Sequence, residues 1–304
     1  MDWILRHPVA QDDDKNCFAA YKMPPPKVNF FPMDLLVGRI PFLVCAPFFH
    51  GFLGREQEFP RVRFVDGPPS VHSRGLREGA IHLSPASSIT FAQKPGAFVL
   101  SPRLCTSCSF EVRSVKLFSR FPIEDLDGKT VRLTSQSQTS VALLKILLSE
   151  RFLVRTEYTG GLAAEANDDA CLLIGDLALE EAERGRFPFS YDLGTLWQDW
   201  QGMPFVFGAW IIEKSALEPE IRPILEQYLQ ETEKSVEVFR ADPADALARW
   251  ISRFPVNLDK KSLLDYYKII DYHFTDERKK SLECFFGYAA KLGLIEKAPT
   301  LEFL

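Results

Sequence analysis

The sequence predicts an α/β protein of two lobes joined by two crossing strands, with a helical C-terminal region. Three observations predict it. Short apolar runs alternate with helical patterns from residue 35 onward. A middle section repeats that alternation on its own, and two long β runs, Val112–Phe118 and Pro204–Ile212, bracket it. Strand–helix–strand units favour parallel sheets, because the return to a parallel neighbour needs a helix-sized crossover. The chain has 304 residues, enough for about two domains and a sizeable core. The expected division is an extension over 1–36, one lobe from 37–113 and 210–304, and a second lobe from 114–209.

Each element follows from its local pattern. Met23-Pro-Pro-Pro-Lys27 breaks any regular element in the extension, because proline lacks the backbone donor. Leu35–Leu43 reads as a strand running into a loop, and Val62–Val65 as a second strand. Ser70–Glu78 suits a short helix ended by Gly79. Ala80–Leu83 is a third strand, followed by the polar loop Ser84–Ser88. Thr130–Thr134 is a strand, and Val141–Leu153 is helical, with apolar Val141, Leu144, Ile146, Leu147 and Leu148. Asp169–Ile174 is a buried strand ending in Gly175-Asp176, with a helix over Leu177–Arg184. From Leu217 the pattern is helical in about four segments; the last is Asp276–Leu292, ended by Gly293.

Charge and composition exclude several functions. Lys+Arg 36 against Asp+Glu 41 leaves −5, with no basic block, so neither nucleic acid nor anionic lipid is an expected partner. No run approaches the ~18 apolar residues of a spanning helix, so no membrane insertion is expected. Asp12, Asp13 and Asp14 stand where a secretory signal would place its apolar core, which makes the cytoplasm the expected compartment. Cys105-Thr-Ser-Cys108 is a lone CxxC without a second pair or spaced histidines, so no metal is expected. His82, inside an apparent strand, reads as structural. Trp197, Trp200, Trp210, Phe205 and Phe207 read as core. GxSxG, Walker A and GxGxxG elements are missing from the sequence.

The candidate binding residues lie just after predicted strands. Ser135, Thr139 and Ser140 open a helix, whose free N–H groups and partial positive charge suit a carboxylate or phosphate. Simple N-capping is the competing reading. Ser87 and Ser88 follow another strand and can meet a second polar group. Gly175 permits close approach, and Asp176 either meets a ligand hydroxyl or caps its helix.

Arg113-Ser-Val-Lys-Leu-Phe-Ser119, Thr134-Ser-Gln-Ser-Gln-Thr-Ser-Val-Ala-Leu-Leu144 and Leu173-Ile-Gly-Asp-Leu-Ala-Leu179 resemble the menaquinone-biosynthetic chorismate dehydratases of the futalosine pathway. So do Tyr191-Asp-Leu-Gly194, Trp197, Gly202-Met-Pro-Phe-Val-Phe207 and the closing Ala289-Ala-Lys-Leu-Gly-Leu294. The resemblance spans about residues 37–304. It implies a periplasmic-binding-protein-like fold of type II working as a cytoplasmic lyase. The implied reaction dehydrates chorismate, a small dicarboxylate, to 3-[(1-carboxyvinyl)oxy]benzoate without a cofactor. The implied base is the substrate's own enolpyruvyl carboxylate, and no catalytic side chain is assigned. Ser135, Thr139, Ser140, Gly175 and Asp176 match the family's motifs, and Ser87 and Ser88 fall in its serine loop. The first loop departs: Val44 and Ala46 stand where the family has Asn and Arg, His82 where it has Asp, and Thr90 where it has Glu. The alternative reading is a two-lobed binding protein for a small carboxylate, without the chemistry.

Overall fold

The computed structural model describes residues 34–256 and 258–304. The proline-rich segment and the acidic triplet of the expected extension lie outside the described residues. Along the chain the elements are β1 (Leu35–Arg39), α1 (Ala46–Phe49), β2 (Val62–Asp66), α2 (Pro69–Glu78), β3 (Leu83–Ser87), α3 (Thr90–Gln93), β4 (Phe98–Cys108) and β5 (Val115–Ser119). There follow β6 (Thr130–Thr134), α4 (Gln138–Ile146), β7 (Glu157–Gly161), β8 (Ala170–Ile174), α5 (Gly175–Arg184), β9 (Phe189–Asp192), α6 (Leu193–Gln201) and β10 (Phe205–Glu213). The last are α7 (Arg222–Ala241), α8 (Pro243–Arg253), α9 (Lys260–Tyr267), β11 (Ile270–His273) and α10 (Asp276–Lys291).

The strands form two mixed sheets. The first has the order β11-β4-β10-β3-β1-β2 and the second β7-β6-β8-β5-β9. In the first, β1 is parallel to both β2 and β3, while β10 runs antiparallel to β3 and β4. In the second, β6 is parallel to β7 and β8, while β5 is antiparallel to β8 and β9. The parallel pairs are those joined by helical crossovers, as the strand–helix–strand reading requires.

Several local expectations are corrected. β10 pairs along its length with β4, a strand the sequence pattern does not mark. Polar residues and Pro102 break the apolar pattern of β4, and the ladder accommodates them by a register shift opposite Trp210. The strand near Val112 starts later, at Val115, because the Asp192 carboxylate holds the Val112 and Arg113 N–H groups at 3.0 and 2.7 Å in a turn. Residues 80–82 are not a strand. Gly79 takes φ +72°, and Ala80 N–H closes the end of α2 onto the Gly75 carbonyl at 2.8 Å. The strand instead runs through Ser84–Ser87, which were expected to be a loop. The helix expected at Val141 starts at Gln138, with Ser137 as its N-cap. The C-terminal region keeps its four helices but also contributes β11.

The core is aromatic. Phe48 packs edge-on against Trp210 and Tyr272, with ring centroids 5.3 and 5.1 Å apart. Trp197 likewise meets Phe205 at 5.2 Å. Trp197, Trp210 and Phe205 are fully buried, and Trp200 and Phe207 pack against the same cluster. Among the described residues no helix is long and apolar enough to cross a membrane. Replacing Phe48 by Ala removes a fully buried ring from this cluster, with an expected cost of about 3–5 kcal/mol in urea unfolding.

Candidate functional site

The site follows from the sheet order. β1 and β3 are parallel neighbours in the first sheet, and β6 and β8 are parallel neighbours in the second. Neighbouring strands lie about 4.8 Å apart, so the loops leaving their carboxyl ends come out side by side. In open α/β sheets those ends are where ligands bind. Here the two pairs of ends meet: the end of β3 touches the start of α4, and the loop after β1 touches the start of α5.

The first meeting is a set of hydroxyls. Ser88 Oγ donates to the Val206 carbonyl at 2.9 Å. Its proton is thereby used, so Thr139 donates to Ser88 Oγ at 3.2 Å and in turn accepts the Ile89 N–H at 3.1 Å. Beside them, Ser140 N–H and Ser140 Oγ both donate to Ser137 Oγ, at 3.3 and 3.0 Å. That leaves the Ser137 proton for Ser87 Oγ, 3.4 Å away. All five side chains are buried. The half-buried Arg77 brings a cation to the same edge, donating to Gln93 Oε1 at 2.7 Å and to Gln138 Oε1 at 3.4 Å.

The second meeting involves the backbone of the first loop. Leu43 N–H donates to Asp176 Oδ1 at 3.4 Å. Tyr267 and Tyr272 donate their hydroxyls to the Leu43 and Val44 carbonyls at 2.7 and 3.0 Å, which fixes the loop from its other side. Gly175 has φ +62°, and a Cβ there would stand 3.3 Å from the Phe42 ring. A side chain would strain the backbone and push on the loop. Asp176 does not cap α5: the N-cap position is Ile174, without a side-chain cap. Burial pushes the Asp176 carboxyl up to about 7, Glu180 adds to the rise, and the Leu43 N–H opposes it.

The first meeting therefore brings together Ser87, Ser88, Thr139 and Ser140, and the second sets Gly175 and Asp176 against the first loop. Ser135 is exposed, with its backbone N–H on the Gly161 carbonyl at 3.2 Å. Its place at the junction is taken by Ser137, two residues on, where the helix needs its cap. Sequence reasoning also passed over Arg77, Leu43 and the two tyrosines. Ser137 was recoverable from the Ser-x-x-Ser spacing of a cap, but nothing local marks Tyr267 or Tyr272 as partners of a loop more than 220 positions away.

Other candidates have structural duties. His82 Nδ1 accepts the Leu36 N–H at 3.1 Å. Cys105 and Cys108 are buried in β4, and burial pushes the Cys105 thiol up to about 12. A cavity of about 170 Å³ lies away from the junction, lined by His50, Arg55, Glu231, Lys234 and Arg249. Its cations are already engaged by Glu58, Glu231 and Asp245, so its charges are internally balanced.

Two mixed sheets with opposed strand ends place the protein in the periplasmic-binding-protein-like class. A solved protein from Archaeoglobus fulgidus superposes with a TM-score of 0.69 at 17% identity, over 87% of this chain and 99% of that one. The alkanesulfonate-binding protein of Xanthomonas axonopodis pv. citri, solved with MOPS bound, gives 0.64 at 15% identity over 88% and 96%. The chain belongs to the menaquinone biosynthesis family, whose profile matches residues 35–291. The chorismate dehydratase of Thermus thermophilus is 30% identical over 265 residues, 81% of this chain and 90% of that protein.

The Asp176 carboxyl titrates near its ordinary value of about 4 when unfolded but near 7 when folded. The folded state thus holds its proton longer, and wild-type stability falls as pH rises between those values. Asp176→Asn should gain stability over wild type progressively from pH about 4 to about 7 and hold the gain above that. Urea unfolding across pH measures it.

Proposed function

We propose that the protein is a chorismate dehydratase, releasing water from chorismate to give 3-[(1-carboxyvinyl)oxy]benzoate for menaquinone biosynthesis. The observation that carries this reading is the buried hydroxyl set Ser87, Ser88, Ser137, Thr139 and Ser140, built from both sheets and flanked by Arg77. Chorismate is a dianion. Its carboxylates take hydrogen bonds from hydroxyls, from the free N–H groups at the start of α4 and from the guanidinium, each worth about 1.5–3 kcal/mol to a charge. In this reading the ligand replaces the hydroxyl-to-hydroxyl bonds across the junction. Family membership and the Thermus thermophilus relative support the substrate.

The reaction breaks a ring C–H bond and the neighbouring C–O bond, and the ring becomes aromatic. Aromatisation supplies the driving force, so no cofactor is called for. The substrate's enolpyruvyl carboxylate serves as base, and the protein's task is to orient the groups and exclude water. Two lobes suit that task, and sheet membership supports a boundary after Cys108 and another before Phe205. The cytoplasm, where such a biosynthetic lyase works, is part of the same reading.

The test is direct. Purified protein incubated with chorismate should produce the aromatic ether, followed by chromatography. Ser87→Ala and Thr139→Val should each raise KM on the order of tenfold with a smaller change in kcat, as loss of a hydrogen bond to a charge predicts. Tight binding of chorismate without product would instead favour a non-catalytic clamp. Val44, an apolar residue in the first loop, is the observation on that side.

A further inference from the structure

We infer that Asp176 is the general acid that delivers a proton to the departing hydroxyl, an inference that rests on the dehydratase reading. Its place in the fold, its open oxygen and the groups around it carry the inference. Asp176 opens α5 at the end of β8, next to β6, whose following helix bears Thr139 and Ser140. The loops that carry Asp176 and the hydroxyls of α4 therefore leave neighbouring strands on the same edge of the sheet. Asp176 Oδ1 is held by Leu43 N–H, and Oδ2 receives no hydrogen bond among the described residues. The residue keeps part of its surface open, so that oxygen can meet a ligand. The titratable groups facing it are Glu180 on its own helix, Cys45 on the loop, and Tyr266 and Tyr267 on α9. None of these four is cationic near neutral pH, so none favours the ionised form. Burial already holds the carboxyl near 7, the range an acid catalyst needs at physiological pH.

The step balances. A base takes the proton from the ring carbon beside the hydroxyl-bearing carbon, and that C–H electron pair becomes the new ring double bond. The C–O bond breaks, and its oxygen leaves with the Asp176 proton as water. The carboxylate left behind regains a proton from solvent, equal in number to the one taken from carbon. No electron donor or acceptor is involved.

Asp176→Asn separates this role from positioning, because the carboxamide oxygen still accepts the Leu43 N–H but the group supplies no acid proton. With chorismate as substrate, wild-type kcat/KM should fall as pH rises above about 7, where the acid form is lost. Asp176→Asn should lower kcat about 100-fold or more, with KM changed only a few-fold and the alkaline fall gone. A variant that keeps kcat within a few-fold of wild type, with the same alkaline limb, overturns the inference and leaves the dehydratase reading intact. Wild-type protein that makes no product overturns the reading and the inference with it. A second readout needs no turnover: a stability difference between wild type and Asp176→Asn that does not vary from pH about 4 to 8 denies the carboxyl its proton at neutrality and overturns the inference alone.

Discussion

Everything in this structure that bears on ligand binding depends on one constraint: buried hydroxyls must be hydrogen-bonded, and here they are bonded across two sheets. Leaving such a donor or acceptor unpaired costs about 1–3 kcal/mol. Thr139 avoids that penalty, and the Ile89 N–H finds its acceptor, only when the end of β3 lies against the start of α4. The same side chains that would receive a carboxylate thus also define how the two sheets meet. A ligand with carboxylate oxygens can substitute for these partners without orphaning them, and this is the physical link between the fold and an acidic substrate.

In the second sheet β6 and β8 were legible in sequence, while the largely exposed β7 and the four-residue β9 were not. Thr130–Thr134 alternates polar and apolar residues and Ala170–Ile174 is a continuous apolar run, each ended by polar or glycine residues, so the strands and the residues at their ends could be read. The first sheet was harder. Ser84–Ser87 looks like a loop because it is polar, yet each hydroxyl is satisfied by a distant group. Ser84 Oγ donates to His72 Nδ1 at 3.0 Å, and His72 Nε2 donates to the Val65 carbonyl at 3.0 Å. Burial holds that histidine neutral, its pKa lowered to about 4. Such long-range satisfaction leaves no trace in a local pattern. The strand β4 hid for a related reason, since its bulge accommodates Pro102 and breaks the period of two.

The first loop shows how a departure from a family pattern gains meaning only in three dimensions. Ala46 is fully buried at the start of α1, two residues before Phe48 of the aromatic core. An arginine there would carry a charge into that core, at a cost of several kcal/mol. The loop has been rebuilt around packing: Phe48 and Phe49 anchor it beneath, and two tyrosines hold its carbonyls. Its polar contribution to the junction now comes from the backbone, through Leu43 N–H, and not from side chains.

That rearrangement gives Asp176 its significance. A carboxyl pressed against an apolar loop, with burial as the main influence on it and only one long hydrogen bond in compensation, is less comfortable than a neutral group of the same shape. Cores shed such groups readily when they serve packing alone, because an amide or an apolar residue relieves the penalty. Sites that handle protons keep them, because the same desolvation that lowers stability moves the carboxyl into the working pH range. The two meetings of the junction are then complementary: hydroxyls, free N–H groups and Arg77 suit the carboxylates of a substrate, while the buried acid suits the hydroxyl that must leave.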